Sequence, residues 1–367
     1  MTPLEAALAT LPTEGDEMTM LIAAKVRGLV VGYDHRWKDA GWQTVSVEET
    51  FHLPIINPET GAKSRTFTQA GKFDGVITRD NRTYLLEHKT TSEDISDPNA
   101  VYWRRLAIDS QVSAYVLANW QGGRKLDGTV YDVIKKPGIR PKNLSKAELA
   151  HIVSSRTYCG YKLSADIENA IVLGQTRECN ELYAMRLAAE TISDPDRYFA
   201  RRVINRLDSE ITEYASELWE VGQAIISARA RNAHYRNSGA CVEYNSPCVF
   251  LGICSGYDTP DSDRWERTTN PHGELSVLKD EPSLDVLTNS RVKCFQSCRR
   301  KHYYKYELGM KRRDEEEREA LFMGTVLHAA LEAWFSCYRK EDDEHGKNAA
   351  AGDGPSAATG CQTQLAF

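Results

Sequence analysis

Apolar positions along this chain recur with two periods, and the periods predict where its helices and strands lie. Apolar residues three and four apart indicate helices at residues 1–45, 102–120 and 320–335. Residues that alternate between apolar and polar indicate strands at 45–56 and 130–134. A strand followed by a helix and another strand is typical of an α/β fold built on a mixed sheet.

A hairpin is the most informative element that these patterns predict. Residues 71–91 form two short strands around a polar turn at 78–82. Because successive side chains of a strand point to opposite faces, Glu87 and Lys89 share one face and His88 points away. The apolar residues of the two strands anchor the hairpin to a core.

Charged residues at one end of this hairpin predict a metal site. Asp74 and Glu87 are candidate oxygen ligands, and the backbone carbonyl of His88 is a third, because a divalent cation offsets the cost of burying their charge. Mg²⁺ held in this way suits phosphodiester hydrolysis, since the metal acidifies a water molecule and neutralises charge on the phosphate. Lys89 would position the attacking water or stabilise the developing charge. The alternative is a surface hairpin that carries these residues by chance.

Residues 140–236 are mostly polar with a helical period, and we interpret them as a helical insertion into the sheet. The clearest helices are predicted at 165–189 and 208–231.

Three cysteines follow this insertion, at Cys241, Cys248 and Cys254. They leave one ligand missing for either a tetrahedral zinc ion or an iron–sulfur cluster. The paired cysteines usual in zinc sites are absent from this stretch, and three buried structural cysteines are the alternative to a metal site. The chain has nine cysteines, an odd number, and no visible secretion signal, which favours metal or redox use over a disulfide framework.

A basic segment follows residues 258–285, which are rich in Asp, Pro, Thr and Glu and are predicted to be a linker. Ser290 is the predicted N-cap of a helix over 291–308. Cations alternate there with aromatic rings, as a single-stranded nucleic-acid groove requires, although a basic solvated helix face is the alternative. Cys298 is the candidate fourth thiolate, and Cys294, one turn away, competes with it. The cations are Arg291, Lys293, Arg299, Arg300, Lys301 and Lys305, and the rings are those of Phe295, Tyr303, Tyr304 and Tyr306.

The apolar helix at 320–335 contains one histidine, His328. A lone histidine on such a helix is usually a core residue. The metal site predicted at Asp74 and Glu87 lacks a nitrogen ligand, however, which favours His328 as a ligand of that metal. Residues 337–367 are acidic and then rich in Ala, Gly and Ser, and we expect them to be disordered.

Composition and charge limit the function classes. The chain of 367 residues is 41% hydrophobic and 27% charged, an ordinary globular composition with no apolar run long enough to span a bilayer. We expect a cytoplasmic protein, since the N-terminus lacks the features of a secretory signal. A net charge of −6 means that any DNA contact must be a local patch.

Together these motifs resemble the PD-(D/E)XK nuclease superfamily, in particular its RecB-like branch, which includes phage and CRISPR-associated exonucleases. The resemblance implies a restriction-endonuclease-like mixed central sheet flanked by helices. In the family a Gly-x-x-x-His helix supplies a metal-site histidine, and a Gln-x-x-x-Tyr motif follows the lysine by one helix. The matching residues are Asp74, Glu87, Lys89, Gln111, Tyr115 and, at the end of the motif that begins at Gly324, His328.

The resemblance also implies a [4Fe–4S] cluster. Members that hold one take a cysteine from the basic segment before the histidine helix and three from the end of the domain. These positions correspond to Cys298 and to Cys241, Cys248 and Cys254.

The order of the motifs departs from that of the family. There the basic cysteine helix and the histidine helix come first, whereas here they come last, so the chain resembles a circular permutation. We expect residues 1–257 and 286–336 to complete one nuclease core, with 258–285 as the linker that joins the two.

The resemblance implies a metal-dependent DNA nuclease that uses Mg²⁺ or Mn²⁺ and acts on single strands or duplex ends, with helicase or recombination proteins as possible partners. One alternative is a non-catalytic DNA-binding module that retains the fold and the cluster. Another is an interaction protein stabilised by zinc.

Overall fold

The computed structural model describes residues 1–243, 246–270, 272, 275, 284–314 and 319–339. The helices are α1 (Pro3–Ala9), α2 (Glu17–Trp37), α3 (Val101–Leu106), α4 (Ser110–Gln121), α5 (Lys146–Ser155), α6 (Ala165–Val172), α7 (Asn180–Ser193), α8 (Pro195–Tyr198), α9 (Asp208–Ala230), α10 (Leu251–Ser255), α11 (Asn289–Ser297), α12 (Arg299–His302) and α13 (Glu319–Ser336). The strands are β1 (Gln43–Val47), β2 (Thr50–Ile56), β3 (Lys63–Lys72), β4 (Gly75–Arg79), β5 (Arg82–Thr91), β6 (Gly128–Lys135), β7 (Thr157–Tyr158), β8 (Tyr161–Lys162), β9 (Phe199–Ile204), β10 (Val242–Glu243), β11 (Ser246–Pro247), β12 (Trp265–Arg267), β13 (Asp285–Leu287) and β14 (Met310–Arg312).

A mixed five-stranded sheet forms the centre of the fold, in the order β1-β4-β5-β6-β9. Only the β5–β6 pair is parallel, and the other three neighbouring pairs are antiparallel. A smaller sheet places β3 between β2 and β13, and β13 runs parallel to β3. The predicted fold class, a mixed sheet flanked by helices and consistent with a restriction-endonuclease-like fold, is confirmed.

Helices cover both faces of the central sheet because each strand alternates its side chains between two apolar cores. Leu86, Val130 and Ile134 pack in one core with α1, α2, α7 and α13. Leu85 and Tyr131, from the same strands, pack in the other core with α3, α4, α9 and α11. The period-two pattern of β5 and β6 therefore decides which face each polar side chain reaches.

The predicted hairpin is formed by β4 and β5. Its turn consists of Asp80 and Asn81, which both adopt left-handed backbone conformations with φ of 51° and 59°. A two-residue turn of this kind matches the right-handed twist of the strands, and Asp and Asn tolerate it better than other side chains do. The hairpin register is thereby fixed, which sets the position of Glu87 relative to Asp74.

The last helix, α13, packs against the first two helices of the chain. Leu327 and Leu331 lie in the same apolar core as Leu4 of α1. Trp334 donates a hydrogen bond from Nε1 to Asp34 of α2 at 2.9 Å. The two ends of the described chain thus meet on one face of the central sheet.

Several predicted elements differ from the observed ones. The helix predicted at 102–120 is two helices, because Asp109 caps α4 and ends the preceding turn. The strand predicted at 45–56 is divided into β1 and β2, with Glu48 at a positive φ of 52° between them. The region 140–236 is not only helical: it also supplies β9, which pairs with β6 at the edge of the central sheet.

The basic segment also differs from its prediction. Thr288, and not Ser290, caps the helix by accepting a hydrogen bond from the Arg291 amide at 3.2 Å. The helix ends at Cys298, which is extended, and α12 and a π-helical turn at Tyr303–Glu307 follow it. A single continuous helix over 291–308 is therefore wrong.

The predicted linker and tail are described only in part. Within 258–285, β12 pairs with β14, so this part of the segment packs against the fold. Of the tail 337–367, the first three residues are described, and the Tyr338 carbonyl accepts a hydrogen bond from the Thr44 amide at 3.0 Å. Residues 340–367, where disorder was predicted, lie outside the described residues. Among the described helices, none has the length and apolar character needed to cross a membrane.

Candidate active site

Asp74 lies between β3 and β4, at the edge where the central sheet meets the smaller one. Its Oδ2 atom accepts a hydrogen bond of 2.7 Å from the backbone amide of His88 on β5. Phe73 beside it is buried and stacks on Phe51, which fixes the backbone at this point. The Asp74 carboxylate is therefore held against the strand that carries Glu87 and Lys89.

Glu87 and Lys89 lie on the same face of β5, as the strand period predicts. The Lys89 ammonium is 2.7 Å from Oε1 of Glu87, and Glu87 is only 1% exposed. Burial raises the pKa of Glu87 to about 8, and the nearby charge of Asp74 contributes to the rise. Burial acts to lower the pKa of Lys89, but the carboxylates of Glu87 and Asp109 outweigh it and keep the pKa above its ordinary range.

Helix α4 places Gln111 and Tyr115 over this lysine. The Gln111 side-chain oxygen accepts a hydrogen bond from Lys89 at 2.8 Å, and its amide nitrogen donates to the Tyr115 hydroxyl at 2.8 Å. The four-residue spacing puts both side chains on one face of the helix. Since a lysine ammonium has only donors, the amide oxygen must face it, which orients the amide and hence the tyrosine.

His328 reaches Asp74 from the other face of the sheet. Its Nδ1 atom lies 3.7 Å from Oδ1 of Asp74, and its ring meets the His88 ring edge to face at 5.8 Å. Burial lowers the pKa of His328, while Asp74 opposes this change. A neutral imidazole is the form that binds metals.

The side chain of His88 belongs to a buried charge network behind the site. Its Nδ1 atom lies 3.2 Å from Asp132 on β6, which is fully buried and also accepts a hydrogen bond from Tyr33. Nε of Arg201 on β9 lies 3.2 Å from the same carboxylate. Burial acts to raise the pKa of Asp132, but Arg201 and His88 outweigh it and hold that pKa low.

The side chains at this edge of the sheet carry the kinds of atoms that bind a divalent cation. Oε2 of Glu87 is buried and has no hydrogen-bond partner among the described residues, and Asp74 carries a carboxylate close to the nitrogen of His328. Two carboxylates and an imidazole are hard and intermediate ligands for Mg²⁺ or Mn²⁺. Across the described parts of the chain, however, no three Asp, Glu, His or Cys side chains are already arranged around one ion position.

The sequence did not identify Asp109, which the structure places beside Lys89, or the contact of Asp109 with Lys293. Asp109 lies 3.5 Å from the Lys89 ammonium and 3.2 Å from that of Lys293 on α11. Burial acts to raise the pKa of Asp109, but these two lysines outweigh it and lower the pKa. Asp109 lay inside the helix predicted at 102–120, where a single aspartate is only a weak signal for a cap, and no sequence signal pointed to the arrival of Lys293 from a distant segment.

The four candidate cysteines are brought into one region. The Cys241 carbonyl accepts a hydrogen bond from the Cys248 amide at 2.8 Å, and Sγ of Cys298 accepts one from the Asn237 amide at 3.4 Å. Burial raises the pKa of Cys248 and of Cys254, and the neighbouring thiols of Cys241 and Cys298 add to both shifts. The segment after the insertion and the basic segment therefore meet, as the assignment of Cys298 requires.

The basic segment exposes fewer cations and rings than its sequence suggests. Arg291 is 1% exposed and pairs with Asp285 and Glu307, so it acts within the fold. Tyr304 and Tyr306 are also buried. The predicted alternation of cations and rings along a nucleic-acid groove therefore does not hold for Arg291, Tyr304 and Tyr306, which lie within the fold.

Comparison with known proteins gives one match. A sequence model of the PD-(D/E)XK nuclease superfamily matches residues 286–358, which contain α11, α12 and α13 with Cys298 and His328. No curated protein and no solved structure matches the chain. The chain is therefore similar to PD-(D/E)XK nucleases over its last part, which indicates a nuclease.

Proposed function

We propose that this protein is a metal-dependent DNA exonuclease of the RecB-like type that acts on single strands or duplex ends. The observation that supports this most is the meeting of Asp74, Glu87, Lys89 and His328, which come from three separate segments of the chain. His328 lies in the segment that matches the nuclease model, whereas Asp74 lies outside it. A hairpin that carried these charged residues by chance would not be expected to place Asp74 beside His328.

Each residue of the site has a role in this proposal. Asp74, Glu87 and His328, with the carbonyl of His88, would hold Mg²⁺ or Mn²⁺, which when bound supplies an acidified water and neutralises phosphate charge. Lys89 would orient the attacking water and stabilise charge on the phosphate, because its ammonium is held by Glu87 and Gln111.

Gln111 and Tyr115 act on the position of Lys89 and do not react themselves. The hydrogen-bonded chain from Lys89 through Gln111 to Tyr115 limits the rotamers of the ammonium group. Such preorganisation is needed because a lysine side chain otherwise loses considerable conformational entropy on binding.

We further propose that Cys241, Cys248, Cys254 and Cys298 hold a structural [4Fe–4S] cluster. The charges of Cys241 and Cys298 act on the pKa of Cys248 and of Cys254, so the four thiols lie near one another, as the ligands of one cluster must. The cluster would fasten the cysteine loop to the basic segment and so contribute to folding.

We interpret the chain as a circular permutation of the nuclease core. The packing of α13 against α1 and α2 supports this, since the family order continues from the histidine helix into the helices that begin this chain. Activity in DNA recombination, repair or phage and CRISPR DNA processing would follow from this assignment, with a helicase or recombination protein as a partner.

The test combines metal analysis with cleavage. Anaerobic purification should yield a brown protein with broad absorbance near roughly 400 nm and about four irons per chain, as expected for a four-cysteine cluster. With Mg²⁺ the protein should shorten labelled single-stranded DNA from an end, and Lys89→Ala should bind DNA without cutting it. DNA binding without cleavage by the unaltered protein would instead support the non-catalytic module.

A further inference from the structure

A cavity of about 580 Å³ lies between α9 and the C-terminal end of α11, outside the site described above. We call it the Tyr235–Arg299 groove, after two of the residues that line it. Its volume is within the roughly 300–1,000 Å³ that ligand sites span. Of the four candidate cluster cysteines only Cys298 lines it, so it is not the space between the four thiols.

The groove contains an exposed aromatic ring next to an arginine that has no acidic partner within the described parts of the chain. Tyr235 is 58% exposed, so its ring is accessible to a ligand. The Arg299 guanidinium lies 4.6 Å from the Tyr235 ring and 4.9 Å from the Phe295 ring. No carboxylate in the described parts of the chain is within ion-pair distance of Arg299, and Glu220, the one acid of the lining, is exposed.

Two other arginines of the basic segment are already engaged, which distinguishes Arg299 from them. Arg291 pairs with Asp285 and Glu307, and Arg300 donates to the His234 carbonyl at 2.6 Å. The guanidinium of Arg299 therefore keeps its charge and its donors available to a ligand. A flat cation beside an exposed ring is the combination that holds a nucleotide by its phosphate and its base.

Helix α11 connects this groove to the candidate active site. At its first turn, the Asn289 side chain accepts a hydrogen bond of 2.9 Å from Ser110 on α4. One turn later Lys293, which is 50% exposed, reaches Asp109 beside Lys89. A helix of this length covers only about 13 Å, which a few nucleotides can bridge.

We propose that the Tyr235–Arg299 groove binds single-stranded DNA a few nucleotides from the bond that is cut. Tyr235 stacks on an unpaired base, Arg299 binds the adjoining phosphate, and Lys293 guides the strand along α11 toward Lys89. A duplex cannot use the groove in this way, because its bases are already stacked on each other. The direction of the strand rests on the proposed nuclease function, whereas the binding itself does not.

The binding test uses the full chain without added divalent cations, so that no cleavage interferes. Fluorescence anisotropy with a labelled oligothymidylate of about 16 nucleotides, the upper end of known site sizes, gives the affinity. Tyr235→Ala should weaken binding roughly 5- to 100-fold, the loss expected for one stacked base, and Tyr235→Trp should restore it. Tyr257→Ala removes a ring that is 91% exposed and does not line the groove, and it should bind as the unaltered protein does.

Arg299→Gln is a second variant in case Tyr235→Ala fails to fold, as judged by its circular dichroism melting curve. It should also weaken oligothymidylate binding and reduce the salt dependence of the affinity. Equal affinities for Tyr235→Ala and Tyr257→Ala, or equal binding of duplex and single strand, would overturn the proposal.

A small phosphodiester separates this proposal from the proposed function. Bis(p-nitrophenyl) phosphate is too short to reach the groove, so with Mn²⁺ the unaltered protein and Tyr235→Ala should hydrolyse it at equal rates. If neither the unaltered protein nor Tyr235→Ala hydrolyses the compound, the nuclease assignment fails. The anisotropy measurements still show whether the groove binds single-stranded DNA. If only Tyr235→Ala loses hydrolysis, the groove is not separate from the active site and the proposal is wrong.

Discussion

Nδ1 of His328 lies 3.7 Å from Oδ1 of Asp74, although the two residues are far apart in the sequence. Asp74 is fixed by the His88 amide, and His328 is fixed by a helix that packs in the core with α1 and α2. The contact therefore depends on the packing of the last helix against the first two. Loss of that packing would separate the histidine from the rest of the site.

We expect Lys89→Met to reduce DNA cleavage by at least about 100-fold, because it removes the one ammonium that Glu87 and Gln111 hold in the site. DNA affinity should change by less than about threefold. Cleavage rates and anisotropy on the same oligonucleotide measure both effects. Lys146→Met, at an exposed position of α5, is the control and should cut normally. Cleavage near the normal rate by Lys89→Met would contradict the assigned role.

We expect Asp109→Asn to slow cleavage by about tenfold or more while leaving stability nearly unchanged. Asparagine still caps α4, but it no longer attracts Lys89 and Lys293, so each ammonium group loses one of the charges that position it. The effect should appear in kcat for single-stranded DNA more than in KM, since Lys89 acts at the reacting phosphate. A change confined to the melting temperature would show that Asp109 only caps the helix.

We expect Cys248→Ala to lose the brown colour and to lower the Tm by more than about 5 °C, because the cluster would contribute to the free energy of folding. Iron analysis and thermal unfolding under anaerobic conditions measure both. Cys337→Ala changes an exposed cysteine at the end of α13 and should alter neither. A colourless unaltered protein that contains zinc would favour a zinc site, and normal colour in Cys248→Ala would exclude this cysteine as a ligand.

We expect Asp132→Asn to destabilise the protein by about 3–5 kcal/mol, because Arg201 would remain buried without its counter-charge. Chemical denaturation gives the free energy of unfolding. The matched control is Asp196→Asn, which breaks an exposed pair with Arg36 and should change that free energy by less than about 1 kcal/mol. Equal effects of the two substitutions would mean that the buried network does not stabilise the core.

The unfolding free energy should fall as the pH drops from about 6.5 to about 3, in part because of His302. Burial and the charges of Arg291 and Arg229 lower the pKa of His302 to about 3, so below pH 6.5 the unfolded chain binds a proton that the folded chain does not. This contribution is at most about 1.4 kcal/mol per pH unit. His302→Gln keeps an acceptor for Nε of Arg291 but cannot titrate, and it should flatten the curve in this window.

Local pattern was enough to predict the hairpin and its consequences. The two-residue period of β5 put Glu87 and Lys89 on one face, and the four-residue spacing on α4 put Gln111 beside Tyr115. These relations hold because backbone geometry within one element fixes them. The sequence did not predict the helix breaks at Asp109 and at the extended Cys298. A single residue is a weak signal for a break when the helical spacing of the apolar residues continues on both sides of it.

Relations between distant segments were decided by the tertiary structure alone. The strand β9, the burial of Arg291 and the approach of Lys293 to Asp109 depend on which elements pack together, and no local period encodes that choice. The same holds for the Tyr235–Arg299 groove, whose two sides come from α9 and α11. The sequence by itself thus determined which chemical groups each element carries. The packing of the apolar faces determined which of these groups meet, because burial of apolar surface drives folding and does not depend on the polar groups that the elements carry.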